Sequence, residues 1–218
     1  ATAIGNESVA DGIDALALGD NAHAIGNSTS ALGGEAVATG PGASAFGWRS
    51  RAVAERATAV GPLATAQGVR SVAVGENANA RSDFSTAIGN ESVADGVDAM
   101  AVGDSARAIG NSTSAVGGES IATGPGASAF GWQSVAGAER ATALGHLATA
   151  QGIRSVAIGE NADAQTDFST AIGNESTANG VDALAIGDST SASGNSTTAV
   201  GGEGIATGLG ATAYGWQS

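Results

Sequence analysis

Two histidines, 21 acidic residues and eight arginines are the side chains of this 218-residue chain able to move protons, hold metal or pair with anions. Each such chemistry needs a partner set, and the sets are thin. Cysteine is absent, which excludes a disulfide framework and a Cys/His zinc site. His23 and His146 are not equivalent within the chain's long repeat, because their counterparts in the other copy are Arg107 and Pro62. Solvent-facing histidines are expected rather than a catalytic or metal-binding pair. Turn acids such as Glu7, Glu35, Glu91, Asp104, Glu119 and Asp188 would need several convergent oxygens to hold a hard cation. Gly33-Gly34-Glu35 is the nearest approach to the GGxGxD calcium nonapeptide, and it lacks the ligands. A phosphate loop of the form GxxxxGK[ST] is impossible without lysine. No catalytic residue, cofactor or metal is therefore expected.

Surface chemistry is richer. Arg49, Arg51 and Arg56 form the one basic cluster of a chain with net charge −13, and its copy in the second long repeat keeps Arg140 alone. Trp48, Trp132 and Trp216 each follow a turn glycine and suit capping of an edge over neighbouring coils. As exposed aromatics they also suit partner contact. Trp48, Arg49, Arg51, Arg56, Trp132 and Arg140 make up the candidate ligand surface. The sequons at Asn6, Asn27, Asn90, Asn111, Asn174 and Asn195 read as turn residues. The acidic balance argues against nucleic acid and anionic membranes as partners. No run approaches the ~20 apolar residues of a membrane helix, so direct membrane insertion by this segment is not expected.

The elements that must position these residues follow from a repeat. Alanine occupies all 31 positions spaced by seven from Ala3 to Ala213. Glycine stands two residues after it in 27 of those 31 heptads, the exceptions being Ala54, Ser82, Ala138 and Thr166. Two residues before each alanine the residue is always small. A glycine per heptad, at ~1 kcal/mol against alanine inside a helix, excludes a coiled coil. In a strand the small residue and the alanine share a face, and glycine with its two followers makes the turn.

The residue between alanine and glycine doubles the period, so that one coil is two heptads. In alternate heptads it is always large and apolar or aromatic: Ile4, Leu18, Leu32, Phe46, Val60, Val74, Ile88, Val102, Val116, Phe130, Leu144, Ile158, Ile172, Ile186, Val200 and Tyr214. In the intervening heptads it is mostly polar. Each coil should thus give two short strands to two parallel sheets, with small side chains between them and an outward apolar stripe on one. So large an exposed stripe predicts association, and these sixteen residues are the expected interface. A superperiod of six coils lies on top, with near copies at residues 3–86 and 87–170 and a partial one at 171–218. Without insertions, residues 1–218 read as a single array.

Phased heptads of this kind, with SVAVG at 71–75, SVAIG at 155–159 and AIGNES at 3–8, 87–92 and 171–176, resemble the YadA-like head of Gram-negative trimeric autotransporter adhesins. The resemblance implies a left-handed parallel β-roll assembled as a homotrimer, with the apolar stripe at the contact. It further implies an adhesin head at the bacterial cell surface. Such a head presents an elongated trimeric surface to host extracellular-matrix proteins or cell-surface receptors, or to other bacteria in autoagglutination, with a role in virulence. A coiled-coil stalk and a C-terminal outer-membrane β-barrel anchor would belong to the full protein, of which this chain reads as a head fragment. Where some family members have Asn before SVAIG and are linked to collagen, this chain has Arg70 and Arg154, which argues against collagen as the ligand. The alternative function is a β-solenoid enzyme acting on polysaccharide. It would need an acid, base and histidine cluster breaking the repeat, and none breaks it. An ice-binding solenoid would need Thr-x-Thr columns, and the motif does not occur.

Overall fold

The computed structural model describes residues 1–218 and contains strands and turns only. No helix is present that could cross a membrane. The chain forms two compact units, Ala1–Asn111 and Ser112–Ser218, built to one design. In the first, three-residue strands from Thr2–Ile4 to Met100–Val102 stack in parallel as one sheet, and two-residue strands from Val9–Ala10 to Arg107–Ala108 stack as another. In the second, the corresponding strands run from Ser114–Val116 to Thr212–Tyr214 and from Ile121–Ala122 to Ile205–Thr207. We call these the first and second sheets. Register steps by one whole coil, pairing Ala3 with Ala17 and Ile4 with Leu18. The fold is an all-β parallel solenoid of about 15 turns, in agreement with the two-strand coil expected from the sequence.

The core lies between the sheets and is made of the two small columns. Ala17, Ala31, Ala45 and their counterparts are fully buried, as are Ser50, Ser92 and Thr29 from the preceding small column. Buried hydroxyls need acceptors. Ser50 and Ser92 each donate to the carbonyl of the preceding turn glycine, Gly47 and Gly89, at 2.9 Å. Serine is thereby as acceptable as alanine in a core too narrow for larger groups.

The turns carry a left-handed position from which alanine and the β-branched residues are excluded. The residue two after the glycine position is left-handed in all 31 heptads, and 28 of these residues are not glycine. They include Leu63, Phe84, Arg49 and Glu7, at φ of 51 to 59°. Such a conformation costs roughly 1–2 kcal/mol for an ordinary residue. It persists because the stacked backbone fixes it; Arg49 N–H, for example, donates to the Gly34 carbonyl of the preceding coil at 2.9 Å.

The four breaks in the glycine column have a backbone explanation. All sixteen glycines after first-sheet strands have φ between 119 and 142°, which side chains avoid. A methyl group on Gly5 would overlap the Gly19 carbonyl of the next coil, but one on Gly40 would overlap the Ala54 carbonyl too, so φ and not space separates the two glycine columns. After second-sheet strands most backbones are not left-handed, and Ala54, Ser82, Ala138 and Thr166 all stand there.

Candidate interaction surfaces

Each coil offers four surfaces: the outer faces of the two sheets and two turn edges. Outward side chains flank each inward alanine, so a sheet face has two columns. On the first sheet the column after the alanine is the apolar series from Ile4 to Tyr214, and no member of it is buried. Ile88 is 39% exposed and Leu144 46%. The column before the alanine is uncharged but mostly hydroxylic: eleven of its sixteen residues are Ser or Thr, and Leu16, Val72, Met100, Val156 and Leu184 are the rest. Neither column holds a charge: all 29 charged residues lie elsewhere. Counting charges by position within the coil would have revealed this second column.

The second sheet's outer face is mixed. It carries Asp11, Arg51, Arg81, Asp95, Arg107 and Asp163 among Val, Ile, Thr and Gln. Arg81 and Asp95 pair across neighbouring coils at 3.1 Å.

The first turn edge follows the first sheet and holds the tryptophans. Trp132 stacks on His146, with centroids 5.0 Å apart and planes 13° off parallel. Trp48 lies over Gly34 of the preceding coil, and the Arg49 guanidinium sits 5.1 Å from its ring. These contacts are the packing over neighbouring coils that the sequence suggested, although Trp48 remains 49% exposed. Arg49 pairs with Glu35 at 3.2 Å. His146 is exposed and faces Glu160 at 3.5 Å, whereas His23 is half-buried beside Asn21.

The second turn edge holds Arg56 and Arg140, each 3.8 Å from its chain neighbour Glu55 or Glu139. The structure therefore groups Arg49 and Arg51 with Trp48 and puts Arg56 on the opposite edge. Here Asp83 and Asp167 accept the N–H of Val69 and Ile153 at 2.8 Å, while Arg70 and Arg154 lie 5.8 and 5.9 Å from the rings of Phe84 and Phe168. Asn27, Asn111 and Asn195 accept equivalent N–H groups, so these sequon side chains serve as turn-to-turn acceptors. No three His, Asp or Glu side chains converge as a metal site.

These features define a surface-presenting β-solenoid: a repeat scaffold with one uncharged face, apolar along one of its two columns, and three surfaces that carry charge. The model of the YadA head domain repeat matches residues 1–22, 24–50, 52–75, 66–92, 94–120, 122–148, 150–176 and 178–203. The chain belongs to that family. No curated protein matches it. The family is one of structural adhesins, with a surface function in trimeric autotransporters, and YadA-like heads form trimers.

Proposed function

We propose that this chain is the head of a bacterial surface adhesin that works as a homotrimer of left-handed β-rolls, with the first-sheet faces in mutual contact. The observation that supports this reading is the charge-free first-sheet face, whose apolar column stays partly exposed in the single chain. Contiguous patches of that kind on soluble proteins mark contact surfaces. The column from Ile4 to Tyr214 is then the trimer interface. The second sheet and the turn edges, carrying Trp48, Arg49, Arg51, Arg56, Trp132 and Arg140, are left to meet matrix proteins, host-cell receptors or other bacteria. In the full-length protein an outer-membrane β-barrel anchors the head outside the cell. The test is light scattering, joined to a binding screen of the immobilised chain against collagens, fibronectin, laminin and whole cells. A trimer that retains at least one of these targets is expected. A stable monomer at micromolar concentration would overturn the assembly, and the absence of any attachment would overturn the adhesive role.

A further inference from the structure

The two full copies, 3–86 and 87–170, differ at 18 positions, and eleven of these exchange one small or apolar residue for another. The other seven all lie on the second sheet's outer face or the first turn edge. Four of them meet in one place: Asn21, His23, Arg49 and Arg51, which become Ser105, Arg107, Gln133 and Val135. These four line a shallow open cleft of about 510 Å³. One wall is the left-handed turn column of Asn21, Glu35, Arg49 and Leu63, and the floor is the second-sheet column of His23, Val37, Arg51 and Thr65. Three coil steps of about 4.8 Å make it roughly 15 Å long.

We propose that this cleft binds an acidic polysaccharide, through sulfate or carboxylate groups spaced along the sugar chain. The proposal rests on the adhesin reading and names the chemistry of one of its ligand surfaces. Arg51 is exposed and forms no ion pair. Arg49 binds Glu35 through Nε, which leaves the outer nitrogens of its guanidinium for an anion. Asn21 and Thr65 stand near the two ends with groups that bond hydroxyls. An extended peptide has less to hold. The strand N–H and C=O groups beneath the cleft are spent on the coil ladder, so no strand can be added there. The cleft also lacks the deep apolar pocket that anchors a side chain. On a chain of net charge −13, an anionic ligand is repelled everywhere except where cations gather. The second copy has one cation, Arg107, in place of Arg49, Arg51 and His23, and there Gln133 satisfies Glu119 at 2.7 Å.

That divergence supplies conservative test variants, because each replacement already occurs at the equivalent position of the second copy, in the same backbone. Calorimetric titration of the assembled protein with a size-defined heparin oligosaccharide should show saturable, salt-sensitive binding. R49Q/R51V should weaken it at least tenfold with the circular dichroism spectrum unchanged. The reciprocal Q133R/V135R should add a second site per chain. Equal binding by R49Q/R51V, no added site in the reciprocal variant, equal binding of poly-glutamate, or no binding by the parent protein would each overturn the assignment. Trimer mass and matrix attachment are measured on the same samples. Absence of heparin binding by the parent protein with both intact overturns the cleft proposal alone, whereas a parent protein that is not a trimer overturns the broader reading.

Discussion

Replacing Val60, Val74 and Ile88 together with Asp tests the assembly at three successive coils of the first-sheet column. Val60 is 37% and Ile88 39% exposed in the single chain. Full burial of such side chains is worth about 1.5–3 kcal/mol, so covering the exposed two-fifths returns about 0.6–1.2 kcal/mol each. Three positions in three chains make nine side chains, or about 5–11 kcal/mol per trimer. The substituted carboxylates add a desolvation cost of several kcal/mol apiece. Even the lower bound shifts the association constant by more than three orders of magnitude. The core columns Ala59, Ala73 and Ala87 face the other way and are untouched, so each chain should keep its β spectrum. Size-exclusion light scattering with circular dichroism should report a folded monomer. The control lies on the same coils: Gln67→Asp with Arg81→Asp, beside the native Asp95, places three acids on the second sheet. It should leave the trimer intact. Retention of the trimer by the first-sheet variant, or equal dissociation of the control, would refute the choice of face.

Gly89→Ala should lower stability by roughly 2–4 kcal/mol, because φ is +128° and the new methyl would lie 2.6 Å from the Gly103 carbonyl carbon. Ala54→Gly, at a position without positive φ, should cost about 1 kcal/mol or less, and urea midpoints compare the two. Ser105→Asn should raise stability by a few tenths of a kcal/mol, since Asn tolerates the left-handed backbone and already fills the equivalent Asn21; thermal melting checks it. Ser92→Val should destabilise by about 1–3 kcal/mol, because a larger side chain enters a fully buried site and the bond to Gly89 is lost. Chemical denaturation of the variant measures that.

Much of the scaffold was legible because one residue type sits at one spacing. Ala3 to Ala213 fix the inward column, and the alternation of Ile4 with Asp11, or Val74 with Arg81, separates the two sheets. The left-handed turn residue was legible only by exclusion. Its conformation is imposed by stacking, so Glu7, Leu63 and Phe84 all occupy it, and its one trace is that Ala, Val, Ile and Thr, common elsewhere in the chain, never stand there. The breaks at Ala54, Ser82, Ala138 and Thr166 looked irregular until the φ values of the two glycine columns separated them. Of the surface residues, Arg49, Arg51 and Arg56 are neighbours in sequence. A turn edge projects Arg49, the sheet face projects Arg51, and the following turn carries Arg56 to the opposite edge. His23 joins Arg49 and Arg51 through the stacking of successive coils, a proximity visible only once turn column and strand column are laid side by side.

The strict pairing of each residue with its counterpart one coil onward makes length a quantised trait. Recombination that adds or removes whole coils slides every later residue onto an equivalent site, and each long copy is six such units. A slip of one heptad preserves the alanine and nearly all the glycines, yet it exchanges the two sheets for the rest of the chain. Arg81 and Asp95 would then take the places of Val74 and Ile88. Such a chain could still coil while losing the uncharged face proposed for its association, so only insertions or deletions of even numbers of heptads keep that face intact.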